Sequence, residues 1–153
     1  MTFQTTEMLA GYVESTDLPF VVKGVLSVAD ALKCKEIGAK AIIISHHHGR
    51  IPYAVPPLMA LPKIKEALKN TDIKIIVDCS IDSGADVFKA LALGADAAAV
   101  GRSMMPSLEK DGVEGVKGFI GKVTGDLRYL MSSTGFEKVS EIDSSVLYTK
   151  NNF

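Results

Sequence analysis

The residues best suited to chemistry follow four short apolar runs of the chain. Each run ends on polar or charged residues: Lys23, the segment 45–50, the segment 78–80, and the pair Gly101 and Arg102. If the runs are parallel strands, their carboxyl ends meet on one rim, which is where α/β proteins place their sites. The sequence therefore predicts one functional site built from these four places.

The side chains at these places indicate acid–base chemistry and anion binding. The second segment reads SHHHGR and holds all three histidines of the chain. A histidine titrates near pH ~6.5 and suits a general base, whereas Arg50 offers a fork of donors for a carboxylate. Gly101 and Arg102 offer backbone N–H groups, a helix start and a guanidinium, which suit a phosphate. Adjacent histidines can also bind a metal, but their side chains rarely converge on one ion, so no metal is expected.

Strands and helices alternate along the chain. The apolar runs predict strands over 19–23, 41–45, 73–78 and 97–100. Helices are expected over 27–37, 56–69, 83–94 and 113–133, with Ser27 and Ser83 opening two of them and Pro62 splitting or restarting the second. Continuous apolar strands alternating with helices predict α/β architecture with four parallel βα units. An eight-unit barrel needs about 250 residues, so the chain is half a barrel or a small open sheet.

Composition excludes several classes of protein. The chain has 153 residues, 47% of them hydrophobic, which suits a single domain over residues 1–153. With 17 Lys and Arg against 18 Asp and Glu, the net charge of −1 would attract neither nucleic acid nor an anionic membrane. No secretion signal or long apolar run is present, and there are two cysteines. The sequence therefore indicates a cytoplasmic protein with no disulfide framework.

The order of the motifs resembles one enzyme family. LPFVVKG, IISHHHGR and IIVDCSIDSGADVFKALALGADAAAVGR occur in that order, and the resemblance covers about residues 7 to 143. They resemble the FMN-dependent α-hydroxy acid dehydrogenases and oxidases, which include lactate and glycolate oxidases and mandelate dehydrogenase. The resemblance implies the C-terminal half of a TIM (β/α)8 barrel, FMN as cofactor, and oxidation of small L-2-hydroxy acids such as lactate or glycolate.

The same resemblance implies a role for each site residue. His47 would be the base that removes the substrate proton, and Arg50 would pair with the substrate carboxylate. Lys23 would approach the flavin N1 region and stabilise negative charge on the reduced ring. The positions implied to contact the cofactor are Lys23, Ser45, Asp78, Ser80, Gly101 and Arg102.

The sequence also departs from the family pattern. His46 and His48 stand where the family has Asn and Gly, and Cys79 and Ser80 replace two glycines. Asp82 replaces an arginine that binds phosphate, which puts a negative charge near a dianion. The first four βα units of the family are absent, together with an active-site tyrosine and the carboxylate that orients the catalytic histidine.

Two functional hypotheses remain. In the first, the chain is an enzyme that works as a homodimer or together with a separate, complementary N-terminal half, since four barrel strands alone would leave sheet edges unpaired. In the second, it is a catalytically inactive half barrel that at most binds a phosphate-bearing ligand.

Overall fold

The computed structural model describes residues 4–148. The chain forms two compact units, Met1–Val77 and Asp78–Phe153. No helix within residues 4–148 is both long and apolar enough to cross a bilayer.

The first unit contains three parallel strands and three helices. The strands lie in the order β1–β2–β3, and Lys23, Ile43 and Ile76 occupy equivalent places in the register. The elements are α1 (Thr6–Glu14), β1 (Val21–Val25), α2 (Val28–Glu36), β2 (Ala41–Ile44), α3 (Pro57–Ala67) and β3 (Lys74–Val77). All three strands lie within about two residues of their predicted positions, whereas α1 was not predicted.

The two faces of this sheet differ in burial. The side chains of one face are 0–1% exposed, and they are Ile42, Ile44, Ile75 and Val77. Successive strand residues point to opposite faces, and the alternate residues Ile43 and Ile76 are only half-buried. Leu61 and Ile64 of α3 are also 0–1% exposed, so the helix layer and the buried face form the core of this unit. The other face keeps apolar surface exposed.

The first predicted helix begins and ends where the sequence indicates. The Ser27 hydroxyl accepts a hydrogen bond from the Asp30 N–H at 3.0 Å, which caps the start of α2. After the last turn, Gly38 adopts a φ of +86°, the left-handed conformation that commonly ends a helix. The prediction of this helix is confirmed.

The prediction that Pro62 splits or restarts its helix is wrong. Helix α3 runs without interruption from Pro57 to Ala67. A proline inside a helix removes one N–H and crowds the carbonyl four residues earlier, here that of Leu58. Pro62 is exposed, so water can satisfy that carbonyl, while the buried residues Leu61 and Ile64 hold the helix against the sheet.

The second unit has one short strand and two principal helices. They are α4 (Gly84–Ala92), β4 (Ala97–Ala98) and α5 (Met105–Thr134), with 3-10 turns at Arg102–Met104, Val139–Glu141 and Ser144–Val146. Ser83 and Asp86 form a reciprocal capping box that starts α4, as expected for a helix opening at Ser83. Strand β4 is shorter than predicted. The chain nevertheless contains four consecutive βα units, which confirms the α/β class.

Helix α5 packs against α4 and is interrupted near its start. Gly112 has φ +57° and ψ −134°, so the helix predicted over 113–133 corresponds to the part of α5 after this break. Its inner face joins α4 in a small core of buried residues, which are Phe88, Leu91, Ala92, Met131 and Ile142. At the start of α4, Gly84 lies against the backbone of α5, because a Cβ there would be 2.4 Å from the Leu127 nitrogen.

We expect Gly84→Ala to lower the free energy of unfolding by about 1–3 kcal/mol, because the added methyl group overpacks the contact between α4 and α5. Urea denaturation followed by circular dichroism would measure it. The matched control is Gly121→Ala, where the structure leaves the Cβ position open within 4 Å. Alanine favours a helix over glycine by about 0.5–1 kcal/mol, so the control should be neutral or stabilising. Equal destabilisation by both substitutions would contradict the close contact.

Candidate active site

The buried hydroxyl of Ser45 joins the ends of two neighbouring strands. Ser45 directly follows β2, and it is 0% exposed. Its Oγ accepts a hydrogen bond from Lys23 Nζ at 3.1 Å and another from the His47 backbone N–H at 3.1 Å. Because Lys23 belongs to β1 and His47 to the loop after β2, this one oxygen positions both. The hydroxyl thereby brings together Lys23, which is predicted to contact the flavin, and His47, which is predicted to act on the substrate.

Gly24 brings the imidazole of His47 close to β1. Lys23 pairs with Ile43 and Val25 with Ile44, so Gly24 is an extra residue that forms a bulge in the strand. Its φ of +102° suits glycine, and a Cβ there would lie 3.4 Å from His47 Nε2. The imidazole therefore lies beside the backbone next to Lys23. We call Lys23, Gly24, Ser45 and His47 the Ser45 cluster.

Gly24 was not predicted as a site residue. The signal was a glycine directly after the predicted strand 19–23 and followed by further apolar residues, since a glycine within an extended apolar stretch often marks a bulge or a close approach of another group. The structure shows both features at this position.

The rest of the histidine segment forms a tight loop. His47 and His48 have φ values of +53° and +57°, in the left-handed region where residues other than glycine are strained. The His46 Nδ1 accepts a hydrogen bond from the Gly49 N–H at 3.1 Å, which closes the loop. Arg50 and His48 are exposed. Within residues 4–148, no group of three His, Cys, Asp or Glu side chains is arranged to hold a metal ion.

The turn after β3 carries side chains where the resemblance implies glycines. Cys79 and Ser80 have φ values of +72° and +57°. A left-handed conformation costs a residue with a Cβ about 1–2 kcal/mol, so this backbone is the one that glycine favours. The half-buried Asp78 accepts a hydrogen bond from the Cys79 thiol at 2.9 Å, and Ser80 is exposed. The turn keeps its glycine-like path and bears two extra side chains.

The Gly101–Arg102 turn lies beside a carboxylate in the second unit. Both residues are exposed. The next residue, Ser103, donates its hydroxyl to the Ile81 carbonyl at 3.0 Å and shares it with Asp82 Oδ1. Asp82 was expected to matter at this turn but Ser103 was not, since a lone serine after a Gly-Arg pair carries no specific signal.

Cys34 has no features of a nucleophile. It is a buried residue of α2. Burial, with a smaller contribution from the Asp30 carboxylate, raises the pKa of its thiol. A raised pKa keeps the sulfur protonated at neutral pH, and a protonated thiol is a poor nucleophile. The candidate chemistry therefore rests on His47, Lys23 and the exposed arginines.

Comparison with known proteins identifies the family. Residues 2–149 match the family described as FMN-dependent dehydrogenase. The chain belongs to this family. It is 37% identical over 144 residues to an L-lactate oxidase of Roseobacter sp. (strain GAI101), covering 94% of this chain and 39% of that protein. It is 35% identical over 137 residues to a peroxisomal (S)-2-hydroxyacid oxidase of Arabidopsis thaliana, covering 89% of this chain and 38% of that protein.

Solved structures give the same result for the fold. A mandelate oxidase variant with a monooxide FMN adduct superposes with a TM-score of 0.88 at 37% identity, over 92% of this chain and 45% of that chain. The α/β fold class and the family resemblance are thereby confirmed. The chain spans less than half of the length of these relatives, between 38% and 45% in these three cases.

We expect Ser45→Ala to lower the free energy of unfolding by about 1–3 kcal/mol, because it removes a buried acceptor from the Lys23 ammonium and from the His47 N–H. Thermal and urea unfolding would measure it. Ser133→Ala is the matched control, because the exposed Ser133 hydroxyl donates a hydrogen bond to the Tyr129 carbonyl of its own helix. The control should change stability by less than about 0.5 kcal/mol. A neutral Ser45→Ala would show that the hydroxyl does not hold the cluster.

Proposed function

We propose that this chain is the C-terminal half of an FMN-dependent barrel that oxidises small L-2-hydroxy acids such as lactate or glycolate. The observation that carries the proposal is the Ser45 cluster, where a lysine and a histidine from two strand ends share one buried hydroxyl. Membership of the FMN-dependent dehydrogenase family supports the cofactor and the substrate class.

In this proposal three residues of the first unit, Lys23, His47 and Arg50, have defined roles. His47 removes the substrate proton, and its half-buried imidazole lies beside the backbone at Gly24. Arg50 pairs with the substrate carboxylate, for which an exposed guanidinium beside the histidine segment is suitable. Lys23 stabilises the negative charge that develops on the cofactor. FMN, when bound, supplies the ring that accepts the two electrons of the oxidation.

The residues around Lys23 and Gly24 suit the ring of FMN. The ammonium of Lys23 lies beside a buried hydroxyl, and the bulge at Gly24 carries no side chain, which suits a flat ring against the backbone. We place Ser45 beside the ring as well. In the second unit, Asp78, Ser80, Gly101 and Arg102 are proposed as cofactor-binding residues. There the side chains of Cys79 and Ser80 and the Asp82 carboxylate fit less well than the residues that the resemblance implies.

The whole activity needs more than this chain. The chain corresponds to 39% of the lactate oxidase and 45% of the mandelate oxidase chain. In the first unit, Ile43 and Ile76 lie on a sheet face that is only half-buried, and exposed apolar sheet surface favours association. We propose that both units belong to one domain over residues 1–153, which is cytoplasmic and pairs with a second copy or with a complementary N-terminal half.

The second candidate function is an inactive half barrel that at most binds a phosphate-bearing ligand. Two observations favour this function. The chain covers 39% of the lactate oxidase, and the turns of the second unit carry the side chains of Cys79, Ser80 and Asp82. The two functions differ in whether any hydroxy acid is oxidised. Replacing His47, the proposed general base, distinguishes between them.

We expect protein loaded with FMN to lose its visible flavin absorbance when L-lactate or glycolate is added without oxygen. His47→Ala should slow this reduction at least about 100-fold, since a positioned general base contributes about 10²–10⁴-fold. His48→Ala is the control, because His48 is the exposed neighbour with the same left-handed backbone. Similar losses in both variants would contradict the role of His47. Absence of reduction in the wild type would favour the inactive half barrel.

We also expect light scattering at low micromolar concentration to give a mass near twice 16.3 kDa. The reason is that two copies can cover the half-buried faces of their sheets. Ile43→Glu, on that face, should shift the protein to monomer, whereas Ile120→Glu, on the exposed side of α5, should leave the mass unchanged. A stable wild-type monomer would contradict the homodimer and leave the complementary half as the proposed partner.

A further inference from the structure

At the start of α4, the Asp86 carboxylate accepts hydrogen bonds from donors that could otherwise bind an anion. Asp86 Oδ2 accepts hydrogen bonds from the Asp82 N–H at 3.2 Å, the Ser83 N–H at 3.0 Å and the Ser83 hydroxyl at 2.7 Å. The Asp86 N–H in turn donates to Ser83 Oγ at 3.3 Å. Backbone N–H groups at a helix start are the groups that usually bind a phosphate. Here an internal carboxylate occupies two of them, those of Asp82 and Ser83.

A second carboxylate lies at the Gly101–Arg102 turn, which is the place predicted to suit a phosphate. Ser103, the residue after Arg102, shares its hydroxyl between Asp82 Oδ1 and the Ile81 carbonyl. The hydroxyl that could have donated to a ligand is therefore bound to an exposed aspartate. Asp82 removes one donor from this turn and adds one negative charge to it.

The charges at this turn oppose a dianion. A phosphate monoester carries a charge of about −1.5 to −2 at pH 7. Arg102 would attract it, but Asp82 is an equal charge of opposite sign close to the same turn, and Asp86 adds another at the start of α4. A hydroxyl group, in contrast, can donate a hydrogen bond to the Asp82 carboxylate and carries no charge. The turn therefore suits the hydroxyl end of a ribityl chain better than its phosphate.

We infer that the phosphate of FMN contributes no net affinity in this chain, which binds riboflavin at least as tightly as FMN. The inference deepens the proposed function and rests on it for the identity of the ligand. Within the second unit, Asp82 and Ser103 determine which end of the flavin side chain is accepted. Asp82 is thus a specificity-determining residue that distinguishes a phosphorylated from an unphosphorylated flavin.

The test is a titration of the full chain with FMN and with riboflavin, followed by quenching of flavin fluorescence. Wild type, Asp82→Asn, Asp82→Arg and Asp111→Asn are compared. Asp111→Asn is the matched control, because it removes one exposed negative charge elsewhere, where Asp111 pairs with Lys110 at 3.6 Å. Circular dichroism confirms that each variant is folded.

We expect a wild-type ratio of FMN to riboflavin affinity at or below one. Asp82→Asn should raise FMN affinity by about tenfold with riboflavin affinity nearly unchanged, and Asp82→Arg should raise it further, since each tenfold step corresponds to about 1.4 kcal/mol. Asp111→Asn should leave the ratio as in wild type. A wild type that clearly prefers FMN would overturn the inference, and so would an unchanged ratio in both Asp82 variants.

The two proposals fail in different ways. If wild type binds neither flavin, the proposed function fails for this chain. The inference is then decided by the variants: FMN binding that appears on Asp82→Asn or Asp82→Arg supports it, and its absence in both overturns it.

Discussion

The buried hydroxyl of Ser45 holds the candidate active site together. It lies at 0% exposure between two strand ends and accepts hydrogen bonds from a charged ammonium and from a backbone N–H. A buried polar group that is fully partnered fixes geometry, because each lost partner would cost free energy. The position of Lys23, the start of the histidine loop and the approach of His47 to Gly24 all depend on this oxygen.

The sheet of the first unit explains why this cluster exists in a chain that spans less than half of its relatives' length. Helices cover one face, where Ile42, Ile44, Ile75 and Val77 form the core. That core holds the strand ends in register, and the bulge at Gly24 then turns β1 beside His47. Positioning of Lys23 and His47 is thus local to this unit. The opposite face, with Ile43 and Ile76, is only half-buried.

The second unit departs from the family pattern while keeping its backbone. Cys79 and Ser80 retain left-handed conformations that glycine would adopt at lower cost. Asp82 and Asp86 take up hydrogen-bond donors at the start of α4 and at Ser103. These substitutions leave the packing of α4 against α5 intact, because that packing depends on Gly84 and on the core around Phe88. The fold of this unit and its ability to bind an anion are therefore separate properties.

Three features follow from the sequence alone: the βα alternation, the caps at Ser27 and Ser83, and the polar residues at the strand ends. These features are local, since hydrophobic runs, serine caps and turn residues act over a few neighbouring positions. The sequence also carried enough of the motif order to identify the family, and Lys23 and His47 were both predicted as site residues. It did not predict helix α1 or the continuity of α3 through Pro62.

The contacts that define the site depend on tertiary packing. That Ser45 Oγ joins Lys23 to His47, that Gly24 forms a bulge, and that Ser103 binds Asp82 each depend on residues more than 20 positions apart or on strand pairing. Pro62 was misread for a related reason, because packing of Leu61 and Ile64 outweighs the local cost of a proline. Sequence pattern fixes which groups reach a strand end, but the register between strands and the burial around them determine which groups meet.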